Sequence, residues 1–298
     1  MAQSMMLLVN PAAGRNTSHT ALGAVIETFC SGGWHPTVFY TTAPKSATDL
    51  VRRYAPGYDR LVCLGGDGTL SEVISGLMLL PVEARPPLGY IPMGTANDVA
   101  NTLELPRRKP LAAARDVLQG QQMPYDVGFA APDTYFTYVM AFGAFTEVSY
   151  STDQEVKNAL GQAAYLLSGL GYLPKLKGYH ARVEYDGGQL EDDFIFGAVS
   201  NSTSVAGMIK LDKRVVALSD GKFELLLVRM PKSLAELNSV VNGIILQDYT
   251  GPVLSITQSS WVKFHFDEPV PWTRDGENGG EHQELEIRNL CRAVDFIL

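Results

Sequence analysis

The sequence predicts an α/β N-terminal domain on a mostly parallel, doubly wound sheet, followed by a β-rich domain built as an antiparallel sandwich. Three observations carry this reading. Short apolar runs alternate with helix-period segments as far as about residue 125, the pattern of strands buried on both faces between crossover helices. Beyond that point the runs switch to period-two alternation with hairpin signals, as half-buried antiparallel strands do. The 298 residues are also long enough for two cores. Domains are therefore expected at 1–125 and 126–298, with the last strand free to return to the first.

In chain order, Met6-Leu7-Leu8-Val9-Asn10 reads as a buried strand, and Leu22, Val25, Ile26 and Phe29 mark a helix ending near Gly32-Gly33. Thr37-Val38-Phe39-Tyr40-Thr41 is a second strand, and Ser46 is placed to cap a short helix through Tyr54. The strand Leu61–Leu64 precedes a helix that puts Leu70, Val73, Ile74, Leu77 and Met78 on one face. Leu88–Pro92 is a fourth strand, followed by a helix start over Thr95–Ala100 and a helix from Leu111 to Leu118 closed by Gly120. In the second half, Ala181–Tyr185 and Asp193–Phe196 flank the hairpin signal Asp186-Gly187-Gly188. Phe223, Leu225 and Leu227 alternate, as do Val262, Phe264 and Phe266. Helices are expected near Asn158–Leu170 and where Leu234, Leu237, Val241 and Ile244 recur.

Composition narrows the function. A chain 46% hydrophobic and 19% charged is an ordinary globular protein. Its net charge of −8 argues against general nucleic-acid binding and against strong global attraction to anionic membranes. Arg107-Arg108-Lys109 and the Lys175/Lys177 pair are local basic spots, read first as solvated turns. Cys30, Cys63 and Cys291 are few, odd in number and widely spaced, as in a reducing compartment. Met5–Val9 is too short for a signal segment, and no window reaches the roughly 18 apolar residues of a membrane span. A soluble, cytoplasmic protein is expected. The five histidines show no metal-ligand spacing and no hydrolase triad.

The chemistry concentrates in Leu64-Gly65-Gly66-Asp67-Gly68-Thr69. Three glycines in four positions leave no Cβ between main-chain amides and a ligand. At a strand-to-helix turn those amides and the positive helix end form an anion site suited to phosphates. Asp67 beside a phosphate repels it unless a cation lies between, and Mg²⁺ supplies that cation. A Gly-Gly or Asp-Gly hairpin is the alternative, and the helical period after Thr69 disfavours it. Two similar loops follow other strands: Asn10-Pro11-Ala12-Ala13-Gly14, by itself an equally good plain turn, and Pro92-Met93-Gly94-Thr95-Ala96-Asn97-Asp98, by itself an equally good helix cap. Late in the chain, Arg274-Asp275-Gly276-Glu277 places carboxylates in a turn that in isolation reads as a polar hairpin. Neither a Walker-type loop nor a dinucleotide fingerprint is present.

Together these motifs resemble the diacylglycerol kinase catalytic family, and within it the soluble bacterial lipid kinases related to sphingosine and ceramide kinases. The resemblance spans nearly the whole chain: Asn10–Gly14, Gly65–Thr69, Gly94–Asp98, Tyr125-Asp126-Val127-Gly128, Ser219-Asp220-Gly221 and Asp275–Glu277, in the family's order. The glycine turn alone is shared with NAD kinases and, nearly, with phosphofructokinases; combined with Gly-Thr-x-Asn-Asp and the late Asp-Gly-Glu it is specific. The resemblance implies ATP contacts at Asn10, Pro11, Gly14, Thr41, Gly65, Gly66, Asp67, Gly68, Thr69, Glu72, Gly94 and Thr95. It implies catalytic Mg²⁺ held by Asp67, Asp98 and Asp126, partly through water, and Glu277 as general base. Asp220, with main-chain groups at Ala217 and Lys222, matches a structural Mg²⁺ loop of some members. Departures are Ser71 for the usual Asn, Val99 and Asn101 for Phe and Arg, Ala206-Gly207 for Gly-Gly, and Arg274 for an apolar residue.

The resemblance thus implies a nucleotide-binding first domain, a lipid-binding second domain, and an ATP- and Mg²⁺-dependent lipid kinase with diacylglycerol as the first candidate acceptor. Its expected partners are a lipid alcohol and, by peripheral contact, the membrane surface, with no nucleic acid and with a homodimer as one option. The alternatives are a soluble-substrate kinase of the NAD kinase or phosphofructokinase type and a non-catalytic nucleotide- or lipid-binding module.

Overall fold

The computed structural model describes residues 3–144, 177–205, 209–211 and 216–298. The helix expected at 158–170 lies outside them, as do Lys175, Ala206 and Gly207. The first part runs β1 (Gln3–Val9), α1 (Thr17–Ser31), β2 (Trp34–Tyr40), α2 (Ser46–Tyr54), β3 (Arg60–Gly65), α3 (Asp67–Met78), β4 (Leu88–Pro92), α4 (Asp98–Thr102) and α5 (Pro110–Gln119). Strands β2, β1, β3 and β4 pair in parallel in that order. Met6 and Leu8 join Leu61, Cys63 and the buried face of α3 in one cluster, while Met5, Leu7 and Val9 join Val25, Phe29, Ala113 and Val117 in another. Burial on both faces is why these strands read as unbroken apolar runs.

The second part contains β5 (Gln122–Ala130), β6 (Thr134–Phe136), β7 (Val139–Gly143), β8 (Tyr179–Tyr185), β9 (Gly188–Ser200), β10 (Ser204–Val205), β11 (Ile209–Lys210), β12 (Phe223–Arg229), α6 (Leu234–Leu246), β13 (Leu254–Ser259), β14 (Trp261–Arg274) and β15 (Glu277–Ile297). Its main strands pair antiparallel. The long β15 leaves the Glu277 turn, pairs with β14 and β5, and reaches β4, where Phe296 lies parallel to Leu88. One hydrogen-bonded sheet therefore crosses both parts, and β15 fixes the late carboxylate turn relative to the first sheet. An aromatic cluster of Phe142, Phe264, Phe266 and Trp272, with centroids about 5–6 Å apart, anchors the end of β14 just before Arg274.

Two local expectations change. The alternation over Phe223–Leu227 predicts a half-buried strand, but all residues from Phe223 to Val228 are buried. Leu226 and Val228 pack in one cluster with Val240 of α6, so the second face is covered too. The helix expected from Thr95 begins only at Asp98, because Asn97 adopts the left-handed conformation (φ 53°) and turns the chain first.

Glu224 of β12 is the costly residue of this core. It is 1% exposed, accepts from Gln258 Nε2 at 3.3 Å, and among the described residues its Oε2 has no hydrogen-bond partner. Burial pushes its carboxyl up to about 7, with the charge of Asp220 adding to the rise. A raised folded-state value means that folding favours the protonated form. Stability therefore falls as pH rises from about 4.5 to about 7, by roughly 3 kcal/mol in all. Glu224→Gln should match wild type at pH 4 and be more stable at pH 8, read by urea denaturation; parallel pH profiles for the two proteins would refute this.

Candidate active site

Glycines at the β3–α3 turn are demanded by close approach. A Cβ on Gly65 would meet the Thr69 side chain at 2.7 Å, and one on Gly94 would meet the Gly66 Cα at 2.8 Å. The β3–α3 and β4–α4 turns thus touch backbone to backbone. Asn10, at the end of β1, ties in the third loop: its amide donates to Leu64 O (3.0 Å), its Nδ2 donates to Thr69 Oγ1 (2.8 Å), and its Oδ1 accepts from Ala12 N (3.0 Å). Parallel pairing brings all three loops to one edge, where ligands bind in such sheets.

The loops open into a cleft of about 620 Å³. Of the residues expected at ATP, Asn10, Pro11, Thr41, Gly66, Gly68, Thr69, Glu72 and Gly94 line it, and Glu277 from the start of β15 closes one side. Glu277 reaches over the first turn of α3: a Cβ on Gly68 would lie 2.6 Å from Glu277 Oε1. Gly14, Gly65, Asp67 and Thr95 are not among its lining residues. Gly14 takes a positive φ in the β1 loop, and Thr95 belongs to a neighbouring cleft of about 490 Å³ with Arg107, Arg108 and Lys109. Glu72 has a task sequence reasoning missed. Its carboxylate accepts from Lys45 N (2.8 Å) and Ala47 N (3.1 Å), capping α2 and holding the Thr41–Lys45 wall of the cleft.

Asp67 opens α3 and accepts from Asp98 N (3.2 Å) and Val99 N (3.4 Å), so it stitches the two glycine turns together. Burial, and then the neighbouring charge of Asp98, push its carboxyl up to about 6. Asp98 is also raised, by burial, although the Tyr138 hydroxyl donates to it and opposes the rise. Tyr138, buried beside the pair, carries no sequence signal for this role. Asp126 forms no metal-holding cluster with that pair among the described residues. Its oxygens accept from Gly221 N and Arg292 N, each at 2.7 Å, and pin the 219–221 loop against β15. Asp220 accepts from Lys222 N in a local turn, and Ala217 is exposed. Among the described residues no three Asp, Glu, His or Cys side chains converge enough to hold a metal ion unaided.

Asp275 is the other surprise. It and Gly276 form a two-residue hairpin between β14 and β15, with φ of 48° and 79°, so the hairpin reading of this segment holds as geometry. The Asp275 carboxylate is buried and accepts from Thr137 N, Tyr138 N, Val139 N and Ser71 Oγ. Ser71, where the family usually has Asn, thereby links α3 to the turn that presents Glu277.

Residues 4–130 match the diacylglycerol kinase catalytic domain. Diacylglycerol kinase of Bacillus subtilis (strain 168) is 33% identical over 294 residues, covering 98% of this chain and 95% of that protein. The chain belongs to the diacylglycerol kinase family. It is a lipid kinase, and the soluble-substrate and non-catalytic alternatives give way. Diacylglycerol kinase of Staphylococcus carnosus (strain TM300) is 31% identical over 94% of this chain and 90% of its own length. A crystal structure from Bacillus anthracis str. Sterne that carries the diacylglycerol kinase name superposes with a TM-score of 0.79 at 25% identity, over 99% of this chain and 95% of that one. No helix among the described residues is long and apolar enough to cross a membrane.

Proposed function

We propose that this kinase transfers the γ-phosphoryl group of ATP, in the presence of Mg²⁺, to the free hydroxyl of diacylglycerol, giving phosphatidic acid. The observation that supports it most is the position of Glu277, a second-part carboxylate set directly over Gly68 at the edge of the loop cleft. ATP lies across the Gly65–Gly68 turn with its base toward Asn10 and Thr41. Glu277 accepts the hydroxyl proton as the lipid oxygen bonds to the γ-phosphorus and the bond to the bridging β–γ oxygen breaks, releasing ADP. A carboxylate does not ionise an alcohol beforehand, so proton transfer is concerted with attack.

Asp67 and Asp98 fit a divalent cation. They are two partly buried carboxylates whose charges work against burial and, at Asp67, against each other, and hard oxygen donors suit Mg²⁺ completed by phosphate oxygens and water. An Mg²⁺ held by these two carboxylates would supply charge compensation for the transferring phosphoryl group. Asp126 acts by bracing the 219–221 loop, and Asp220 with the Ala217 and Lys222 main chain is the place for a structural Mg²⁺. The second part holds the lipid, and the enzyme reaches it as a peripheral, cytoplasmic-face protein through apolar side chains and local cations.

The test presents vesicles containing diacylglycerol, other lipid alcohols and, separately, NAD and sugar phosphates, with ATP and Mg²⁺. Transfer to diacylglycerol that rises with its mole fraction in the surface supports the reading; transfer only to a soluble acceptor overturns it. Glu277→Gln should keep ATP affinity and lower turnover roughly 10²–10⁴-fold, as loss of a general base does. A change confined to ATP affinity would remove Glu277 from the chemistry.

A further inference from the structure

We infer that Arg274, at the end of β14, binds the γ-phosphoryl group directly and clamps it beside Glu277. The inference rests on the nucleotide-cleft reading above and adds a residue that the family resemblance does not supply, since an apolar side chain is usual there. Arg274 lines the nucleotide cleft and also a smaller cleft of about 170 Å³, and Lys45, Gly68, Glu72 and Glu277 border both. It therefore stands where the two spaces meet, at the point where donor phosphate and acceptor hydroxyl have to converge. Its Nη2 lies 3.8 Å from Glu277 Oε2, while the other oxygen of Glu277 sits over Gly68. One carboxylate thus faces the guanidinium with one oxygen and the glycine turn with the other.

The charges point the same way. The glycine turn carries no lysine, and a triphosphate brings several negative charges into a cleft already lined by Glu72 and Glu277. Among the described residues the cationic side chains lining the cleft are Lys45 and Arg274. Lys45 is exposed on the rim, whereas the Arg274 side chain is 25% exposed. Among the described residues the buried Arg274 Nε has no hydrogen-bond partner, a cationic donor that a phosphate oxygen would satisfy. An ion pair as long and as exposed as that to Glu277 contributes little to stability, so stability alone does not account for an arginine here. The planar fork of a guanidinium matches two phosphate oxygens at once, and arginines so placed stabilise the charge spread over the equatorial oxygens in phosphoryl transfer.

The experiment compares wild type, Arg274→Leu, Arg274→Lys and Glu277→Gln, each checked by circular dichroism. Affinities for ADP and for a non-hydrolysable ATP analogue are measured by calorimetry with Mg²⁺, and turnover is measured on diacylglycerol vesicles. Wild type should bind the ATP analogue more tightly than ADP. Arg274→Leu should erode that preference about tenfold at unchanged ADP affinity, and lower kcat on the order of 10²-fold with KM for ATP moved far less. Arg274→Lys should fall between. Glu277→Gln should keep the nucleotide preference; loss of it there as in Arg274→Leu would mean that Arg274 acts only through Glu277 and would overturn direct contact. Equal effects of Arg274→Leu on both nucleotides, or none, would also overturn it. Wild type that ignores every lipid alcohol yet shows the Arg274-dependent preference defeats the diacylglycerol reading and leaves this inference standing. Active wild type with an unaltered Arg274→Leu does the reverse.

Discussion

Asp67→Ala is expected to abolish phosphoryl transfer while leaving the melting temperature at pH 8 unchanged or slightly raised. The carboxylate accepts two amides from the β4–α4 turn, and losing such a cap costs about 1 kcal/mol. Against that stands the cost of ionising it where burial and Asp98 push it up to about 6. From an ordinary value near 3.8, that shift means the charged carboxylate destabilises the apo fold by about 3 kcal/mol. The sign follows directly. A value raised by folding imposes no cost below about pH 4, the cost grows between 4 and 6, and it is complete above 6. The alanine variant should therefore melt below wild type at pH 4 and level with or above it at pH 8. Turnover, by contrast, should drop at least about 10³-fold, because the site loses half of the carboxylate pair proposed to hold Mg²⁺ and the tie between its two glycine turns. Turnover near wild type would remove Asp67 from the mechanism. A large melting loss at pH 8 would make it a structural brace instead.

What the sequence discloses about this site depends on how local the interactions are. The strand ends and the glycine turns are legible because period and turn chemistry act over a few residues: Leu70, Val73, Ile74 and Leu77 are buried together on α3 as their spacing requires. Even Gly68 and Glu277 are found as motifs, although 209 positions separate them. The task of each polar side chain is another matter. Glu72 is expected at ATP and caps α2, 25 and 27 residues upstream. Asp126 is expected at the catalytic metal and bonds amides 95 and 166 residues away. Tyr138 donates to Asp98, 40 positions earlier in the chain. Such partners are chosen by tertiary placement, and no spacing in the chain encodes them. The contact of Gly66 with Gly94 is intermediate: the glycines are visible, and the reason for them is the neighbouring turn.

Asp275 shows the same divide and gives the largest stability effect expected of any single substitution in the site. By sequence it is a turn former whose replacement should be mild. In the fold it is 4% exposed, and its two oxygens accept from Thr137 N (2.7 Å), Tyr138 N (2.9 Å), Val139 N (3.2 Å) and Ser71 Oγ (2.9 Å). Burial raises its carboxyl, and those donors pull it back. Alanine would leave three buried amides and a hydroxyl facing nothing, at about 1–3 kcal/mol for each group left unsatisfied. Partial relaxation and the relief of a buried charge offset some of this, so the net loss should be on the order of 3–5 kcal/mol. That is a large part of the roughly 5–15 kcal/mol that holds a domain together. Asparagine is no remedy, because its amide would point a donor at donors, and it should lose about half as much. Glu277 leaves the same turn two residues later, so turnover should fall even in molecules that remain folded. Urea denaturation of Asp275→Ala and Asp275→Asn, with turnover measured well below each midpoint, reads both effects. Adding Ser71→Ala isolates the contact between α3 and the turn: a coupling of about 1 kcal/mol in the double-mutant cycle is expected. Unchanged midpoints in both single variants would show that the hairpin holds Glu277 without this carboxylate, and that its Asp-Gly backbone alone sets the position of Glu277.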